Sequence, residues 1–319
     1  LGDVYKRQVH GDMNGVQITG LANLAGGTIR GVQLAGISNI SGDNTVGLSA
    51  AGLVNITGDK AQGVVISGLT SIGGDNNSGL MISGLMNVTG NMASGLQFSG
   101  AANITGQSFG GLMASGLLNV VGEHMNGLQI AGIANITASK LNGVQVALCN
   151  YATKARGLQI GLVNYYKEDM KGFQLGLVNA NPDTKVQMMV YGGNATPANI
   201  GVRFKNQLFY TILGVGSMYQ GLNDKFSASA SYRAGLSFPL YKGLSISGDL
   251  GYQHIEAFDN KDEVIPKRLY ALQARANLEY QFTRKFGIFA TGGYGLTRFY
   301  NKSSNYDKGA IIEAGIVLF

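Results

Sequence analysis

A glycine that returns every 16 residues runs through the first half of the chain. Nine copies keep this spacing, at Gly15, Gly31, Gly47, Gly63, Gly79, Gly95, Gly111, Gly127 and Gly143. Two further copies begin at Gly157 and Gly172, after steps of 14 and 15 residues. A fixed period of this kind indicates one small structural unit that stacks on its own neighbours, so the pattern predicts a repeat architecture for residues 15–185.

The residues within each unit predict strands. Glycine and β-branched residues are poor helix formers, and the start of a unit alternates as a strand does, for example at residues 80–83. Positions 11–142 hold eight charged residues, and nearly all of them fall in the variable end of the unit, as Asp59 and Lys60 do. We therefore predict that this variable segment is a solvated turn.

An asparagine seven or eight places after the repeat glycine helps to decide how the units are arranged. If each unit were one strand of a large antiparallel barrel, identical positions would alternate between its two ends, and a directional repeat would have no reason to persist. If each unit is one coil of a solenoid, identical positions stack about 4.8 Å apart and their amides can bond one another. We favour the solenoid. The predicted ladder consists of Asn23, Asn39, Asn55, Asn87, Asn103, Asn119, Asn135, Asn150, Asn164 and Asn179.

Strands with a period of two begin after residue 185. The clearest of them are 12 to 16 residues long, which is enough to cross about 25 Å at a tilt. Short and long connections alternate between them, as they do in outer-membrane barrels. We predict eight strands, near 186–193, 198–205, 207–219, 226–238, 243–255, 268–282, 286–299 and 309–319.

The two faces of these strands predict two sets of residues. Aromatic residues flank the apolar faces, as membrane-interface girdles do; they are Phe226, Phe238, Tyr252, Tyr270, Tyr280, Phe282 and Phe319. Charged residues on the opposite faces are predicted to point into the lumen; they are Arg203, Arg233, Asp249, Arg275, Glu279 and Glu313. Because eight strands enclose an interior filled by side chains, we expect these charges to form a paired plug. The terminal Phe319 also resembles the outer-membrane assembly signal, from which Glu313 and Gly315 depart.

The composition argues against several classes of function. The chain has a single cysteine, Cys149, and three scattered histidines, so we expect no disulfide framework and no metal site. The net charge of +6 is spread along the sequence, so we expect no nucleic-acid partner. No titratable residues converge in a way that indicates catalysis. We expect neither catalytic residues nor a cofactor.

The segments Gly157-Leu-Gln-Ile-Gly-Leu-Val-Asn164 and Gly172-Phe-Gln-Leu-Gly-Leu-Val-Asn179 resemble the tandem units of bacterial surface-repeat proteins, which are common in Bacteroidota and spirochaetes. The resemblance covers residues 15–185, and residues 199–213 are similar to the segment that follows the repeats in such proteins. It implies a location in the cell envelope and carries over no functional residue. Residues 1–14 are set apart, because their opening resembles a translated sequencing adapter. We expect the natural start, with a signal peptide, to lie upstream.

The predicted fold is therefore all-β, with an N-terminal solenoid followed by an antiparallel outer-membrane-type barrel at residues 186–319. This fold favours a non-enzymatic protein of a Gram-negative outer membrane, whose barrel anchors a solenoid with a structural or binding role. Its expected partners are outer-membrane lipid, the outer-membrane assembly machinery, and a ligand on the cell surface or in the periplasm. One alternative is a secreted adhesin or ligand-binding solenoid with a soluble β domain. The other is one large β-barrel pore formed by the whole chain.

Overall fold

The elements of the described chain are all β-strands, and the predicted fold class, a solenoid followed by an eight-stranded barrel, is confirmed. The computed structural model describes residues 6–219, 222, 226–258, 268–300 and 305–318. The chain divides into two compact units, Leu1–Gly176 and Leu177–Phe319. The sequence placed the boundary after residue 185, whereas the two compact units meet between Gly176 and Leu177 and the first barrel strand begins at Lys185.

The first unit consists of parallel strands, most of which alternate between a longer and a shorter segment. They are β1 (Lys6–Val9), β2 (Met13–Thr19), β3 (Ala22–Ala25), β4 (Ile29–Ala35), β5 (Ser38–Ser41), β6 (Thr45–Ala51), β7 (Val54–Thr57), β8 (Ala61–Ser67), β9 (Thr70–Gly73), β10 (Asn76–Ser83), β11 (Met86–Thr89), β12 (Met92–Ser99), β13 (Ala102–Thr105), β14 (Ser108–Ser115), β15 (Leu118–Val121), β16 (His124–Ala131), β17 (Ala134–Val146), β18 (Cys149–Ile160) and β19 (Val163–Leu175).

Most of these strands pair with the equivalent strands of the coils above and below. β10 pairs with β8 and β12, and β11 pairs with β9 and β13. The register sets each residue beside the one 16 places later, so Gly79 lies beside Gly95 and Asn87 beside Asn103. One repeat unit is therefore one coil, and the alternative of a single large antiparallel barrel is wrong.

The repeat glycine is required by its backbone conformation. All eleven copies, from Gly15 to Gly172, have φ between +102° and +147°, a region that residues with a Cβ rarely adopt. The second glycine of the unit lies at the next corner, where successive coils approach closely. A Cβ on Gly52 would lie 2.0 Å from the carbonyl oxygen of Gly36. Both glycine columns therefore allow the coils to stack at strand spacing.

The interior of the solenoid is largely polar. Five positions of a 16-residue unit point inward: two residues before the repeat glycine, and two, four, eight and ten residues after it. Position eight is the asparagine column, position two is rich in glutamine, and positions four and ten carry mostly serine, threonine and alanine. Apolar packing is strongest at the position two residues before the repeat glycine. This column includes Phe109, Met125 and Leu141. The core therefore depends on hydrogen bonds as well as on hydrophobic contact.

That apolar column corrects one prediction, because the variable segment is not wholly a solvated turn. Phe109, Met125 and Leu141 lie in it and are 1%, 0% and 0% exposed. The long strand of each coil begins before the repeat glycine, so this part of the segment belongs to the sheet and turns one side chain inward. Asp59 and Lys60 lie in the preceding turn, half-buried and exposed respectively.

The last coils are shorter and still keep their register. Asn135 faces Asn150, and Gly143 faces Gly157, although these residues are 15 and 14 places apart. The pairing is irregular only between Thr137 and Lys140 on β17 and, one coil later, between Ala152 and Lys154 on β18. Because turns and corners absorb the missing residues, each strand keeps the same face toward the interior.

The second unit contains β20 (Val178–Ala180) and a closed antiparallel barrel of eight strands, the predicted number. The barrel strands are β21 (Lys185–Gly193), β22 (Ala198–Asn206), β23 (Phe209–Ser217), β24 (Ser227–Tyr241), β25 (Leu244–Ala257), β26 (Arg268–Thr283), β27 (Phe286–Phe299) and β28 (Asn305–Leu318). β21 pairs with β28, with Tyr191 opposite Gly315, so the sheet has no free edge.

Side chains alternate regularly across the barrel wall. On β26 every second residue from Leu269 to Glu279 is buried, and the residues between them are exposed or half-buried. The buried set includes Arg275 and Glu279, whereas Leu272 and Leu278 are 47% and 50% exposed. The lumen therefore holds charged and polar side chains together with apolar ones such as Leu269, while the outward residues of this strand are mostly apolar.

Candidate functional site

The asparagine column forms a chain of buried hydrogen bonds in which each side-chain Nδ2 donates to the Oδ1 of the next coil. The bonds are Asn23–Asn39 (2.8 Å), Asn39–Asn55 (3.0 Å), Asn87–Asn103 (2.8 Å), Asn103–Asn119 (2.9 Å), Asn119–Asn135 (2.9 Å), Asn135–Asn150 (3.0 Å) and Asn150–Asn164 (2.9 Å). The same Nδ2 also donates to a main-chain carbonyl, as from Asn103 to Ala114 at 2.8 Å. Asn179 is likewise buried.

Ser71 interrupts the asparagine column, and hydroxyl groups bridge the gap. The Oγ atoms of Ser67 and Ser71 are 2.5 Å apart, and Ser83 Oγ donates to Ser71 Oγ at 3.0 Å. Ser83 Oγ also lies 2.6 Å from Asn87 Oδ1, where the asparagine ladder resumes. The buried polar atoms around Ser71 are therefore partnered, as buried polar groups generally are.

A second amide ladder, which was not predicted from the sequence, runs beside the first. Glutamines two places after the repeat glycine bond one another through Nε2 and Oε1. The bonds are Gln33–Gln17 (2.9 Å), Gln145–Gln129 (2.8 Å), Gln159–Gln145 (2.8 Å) and Gln174–Gln159 (2.8 Å). Both ladders are buried inside the coil, where their amides bond residues of adjacent coils.

All six predicted lumen residues are buried inside the barrel. Arg203 forms a two-pronged ion pair with Glu279, with Nη1–Oε2 and Nη2–Oε1 distances of 2.6 and 3.0 Å. Its Nε also donates to Gln187 Oε1 at 2.6 Å. β22 and β26 are not neighbours in the barrel, so this pair connects opposite parts of the wall across the lumen.

Asp249 is the centre of a second buried group. Arg233 Nε and Nη2 donate to its two carboxylate oxygens at 2.8 and 3.0 Å. The hydroxyl of Tyr210 and the amide of Asn277 each donate to Asp249 Oδ2 at 2.8 Å. These bonds join residues from four strands, β23 to β26, and compensate the cost of burying the ions.

The remaining lumen pair joins Arg275 to Glu313, with Nη2 3.2 Å from Oε1. Within the described residues, three arginines and three carboxylates are thus buried in the barrel, and their charges cancel. Two cavities, of about 470 and 330 Å³, lie toward opposite ends of the lumen, beside Gln273 and Glu279 respectively. Arg275 and Asn277 lie between these two residues on β26. Paired side chains therefore fill the middle of the lumen, in the arrangement expected of a plug.

The predicted girdle residues that the structure describes lie near the two ends of the barrel exterior. Phe238, Tyr280 and Phe282 lie toward the end with the short turns, and the Tyr280 and Phe282 rings are 4.8 Å apart. Tyr252 and Tyr270 lie toward the other end, with ring centres 6.1 Å apart. These girdle residues therefore form two aromatic groups, one at each end of the barrel exterior.

Phe226 lies just before β24, at the same end as Tyr252, and is exposed. Phe319 lies outside the described residues. Three further aromatic residues are exposed at strand ends or just beyond them, where a period of two does not mark them; they are Tyr241, Phe258 and Tyr300. Tyr241 adds to the short-turn group, and Phe258 and Tyr300 add to the other.

Between the two aromatic groups the barrel exterior is mostly aliphatic. Leu250, Ile312 and Val215 are 72%, 67% and 61% exposed. The outward positions of residues 246–252, 270–280, 288–296 and 310–318 include no charged side chain. These strands therefore present an outward band without charged side chains between the two aromatic groups.

The described ranges contain no group of three or more histidine, cysteine, aspartate or glutamate side chains that could hold a metal ion. The same part of the chain has no helix of the length and hydropathy needed to span a bilayer.

No protein-family model matches the chain, and no curated protein sequence matches it. Among solved structures, the chain is similar to the N-terminal β-barrel domain of Pseudomonas aeruginosa OprF. The match has 17% sequence identity and a TM-score of 0.29, and it covers 42% of this chain and 93% of that one.

Proposed function

We propose that this chain is a non-enzymatic outer-membrane protein in which the barrel is the anchor and the solenoid is held on the periplasmic side. The observation that carries the proposal is the reversed polarity of the barrel wall. Ionised residues such as Arg233 and Asp249 are buried in the lumen, while Leu250 and Ile312 are exposed on the outside. Lipid favours this distribution, because it solvates the apolar exterior and leaves the polar interior to pair with itself.

The height of the apolar band supports a membrane-spanning barrel. Tyr270 and Tyr280 lie on the outer face of β26, one in each aromatic group. Ten residues of a strand tilted by about 40° rise about 26 Å along the barrel axis. That value matches the roughly 25 Å apolar band that outer-membrane barrels present between their aromatic girdles.

The lumen supports an anchor in preference to a pore. Arg203 and Glu279 connect opposite sides of the wall at 2.6 and 3.0 Å, and the Asp249 group fills the space beside them. An aqueous channel needs an open cross-section, which eight strands do not provide. The barrel therefore acts by holding the chain in the membrane.

The strand order supports a periplasmic solenoid. β21 begins at Lys185, opposite Lys205, at the end of the barrel that carries the short turns. Outer-membrane barrels place their short turns in the periplasm. The chain before Lys185 therefore meets the barrel from the periplasmic side. The resemblance to surface-repeat proteins agrees with an envelope location, and the outer-membrane assembly machinery is the partner that such a barrel requires.

Two arginine substitutions distinguish lipid from water around the barrel. Leu250→Arg lies in the middle of the outer band, where a charge facing lipid costs about 2–4 kcal/mol, whereas Phe258→Arg lies at the rim, where the cost is about 0–1 kcal/mol. The full chain, expressed behind a signal peptide, is expected to fractionate with the outer membrane and to migrate faster unboiled than boiled. Leu250→Arg is expected to reduce the fast-migrating form strongly, and Phe258→Arg to leave it near the parent level.

A soluble barrel would give the opposite result. Both side chains are highly exposed, at 72% and 62%, so both substitutions would be harmless in water. A chain that remained in the aqueous fraction, or that tolerated both substitutions equally, would contradict the anchor and favour a secreted solenoid with a soluble β domain.

A further inference from the structure

The solenoid has the same reversed polarity as the barrel, although it is built from parallel strands. Positions one and three after the repeat glycine point outward and hold only Val, Leu, Ile, Ala or Phe throughout residues 16–175. Examples on this first outer face are Ile18, Ile66 and Leu96, which are 64%, 39% and 42% exposed. The inward neighbours at positions two and four are mostly polar.

A corner and a second outer face continue the apolar surface. The corner residue, six places after the repeat glycine, is aliphatic from Leu21 to Ile133, and Leu85 and Leu117 are both 49% exposed. Position nine, on the second outer face, is Val, Leu or Ile from residue 24 to residue 136. Position seven is mostly small or apolar, with Ser38 and Thr70 as its polar members in the 16-residue units.

The two outer faces lie on opposite sides of the coil. Their inward side chains meet across the interior, as Ser83 and Asn87 do at 2.6 Å and Thr137 and Gln129 do at 3.1 Å. The faces join only at the corner column. Positions one, three, six, seven and nine therefore form an apolar wedge, and the turn that carries Asp59 and Lys60 lies at its charged edge.

The backbone of the wedge is hydrogen-bonded within the solenoid. The strands of both faces pair with those of adjacent coils, and amides at the corner also donate to carbonyls of the adjacent coil. The amides of Gly52 and Leu53 donate to the carbonyls of Ala35 and Ile37 at 3.1 and 2.9 Å. Within the inner coils, the strands of the wedge therefore satisfy their backbone hydrogen bonds inside the sheet, which is the main condition for contact with lipid.

We propose that the apolar wedge inserts among the acyl chains of the periplasmic leaflet, with its charged edge in water. Eleven repeat glycines mark eleven coils, and stacking at about 4.8 Å makes the wedge about 50 Å long. The inference rests on the proposed function, since the barrel brings the solenoid to a bilayer. It makes the solenoid a second, lengthwise membrane contact in addition to the anchor.

The shape and chemistry of the wedge favour lipid over a protein partner. A rigid partner or a second copy of the chain would cover one flat face and leave the opposite face in water, whereas fluid acyl chains cover both faces and the corner together. Protein interfaces also carry about ten direct hydrogen bonds. The side chains at positions one, three and six offer none, because all of them are hydrocarbon.

The single native cysteine provides a direct test. Cys149 is exposed and lies in the position-seven column, between Ala134 and Val163. The full chain is folded into vesicles of phosphatidylethanolamine and phosphatidylglycerol with an environment-sensitive fluorophore on Cys149. In a Cys149→Ser background, Leu85→Cys reports on the corner, Gln107→Cys on the charged edge, and Leu250→Cys on the barrel exterior. Lipids carrying a nitroxide on the acyl chain serve as the quencher.

Probes at Cys149 and Leu85→Cys are expected to emit at short wavelength and to be quenched at least twofold more than the probe at Gln107→Cys. Quenching at Leu250→Cys without quenching at Leu85→Cys would overturn the wedge and leave the barrel anchor standing. A short-wavelength probe at Leu85→Cys that lipid does not quench would mean that protein covers the wedge, which also overturns the proposal. Absence of quenching at Leu250→Cys would instead contradict the proposed function itself.

Discussion

Replacing Arg233 with methionine is expected to lower the free energy of unfolding of the barrel by about 3–5 kcal/mol, the usual cost of removing one partner of a buried ion pair. Arg233 is 1% exposed, and two of its nitrogens donate to Asp249 at 2.8 and 3.0 Å. The substitution leaves the Asp249 carboxylate buried without its counter-ion. Urea unfolding of the full chain in detergent micelles, followed by far-ultraviolet circular dichroism, measures the loss.

Two variants act as controls for this experiment. Arg233→Lys keeps the charge but cannot bridge both carboxylate oxygens, so we expect a smaller loss. Arg268→Met removes an ion pair with Glu256 that is 3.0 Å long but exposed, for which the expected change is below about 1 kcal/mol. Equal losses for Arg233→Met and Arg268→Met would show that the lumen pairs do not hold the barrel together.

Replacing Gly95 with alanine is expected to open the solenoid around its sixth coil. The new Cβ would lie 2.2 Å from the carbonyl oxygen of Gly79, and the residue would have to keep φ at +102°. The backbone conformation alone costs about 1–3 kcal/mol, and the steric overlap forces adjacent coils apart as well. Hydrogen exchange of the full chain should show faster exchange in β10, β12 and β14 than in the more distant β2 and β4.

Gly110→Ala is the matched control for Gly95→Ala. A Cβ on Gly110 would meet nothing within 4 Å, and its φ is not positive. The expected effect is neutral, or stabilising by about 0.4–1 kcal/mol, because alanine restricts the unfolded chain more than glycine does. Similar exchange rates in the two variants would contradict the requirement for glycine in the stacked column.

The repeat made the solenoid predictable, because stacking places identical residues in contact. The asparagine column was visible as a ladder for that reason. The glutamine ladder was harder to find, since Val65 and Met81 occupy some of its positions. The apolar column before the glycine was missed because it contains Thr45 and Asn77 as well as Phe109. A column without constant hydropathy gives no sequence signal even when every member points inward.

The sequence also did not predict that the apolar residues of the solenoid mostly face outward and the polar residues mostly face inward. Short strands on both sides of a corner can turn either face inward, and the Leu-Gln-Ile pattern is compatible with both choices. The positive φ of the repeat glycine and the bonds between opposite inward residues, such as Ser83 and Asn87, fix the choice. Leucine and isoleucine are therefore outside, where the sequence alone would not place them.

In the barrel, a period of two indicated which charges face the lumen but not how they pair. Arg203 and Glu279 are 76 residues apart and lie on strands that are not neighbours. Their contact depends on the tilt and stagger of the whole barrel, which no local pattern encodes. The alternation of inward and outward side chains along each strand could be predicted, because it depends only on neighbouring residues in the sequence.

Protease treatment of intact cells tests the central claim, an outer-membrane barrel with a periplasmic solenoid, most directly. The full chain behind a signal peptide carries an epitope either in the turn at Asp59 and Lys60 or between residues 258 and 268, in the connection from β25 to β26. We predict that the first epitope survives in intact cells and is lost once the outer membrane is permeabilised, while the second is lost from intact cells. Loss of the Asp59 epitope from intact cells would contradict the account.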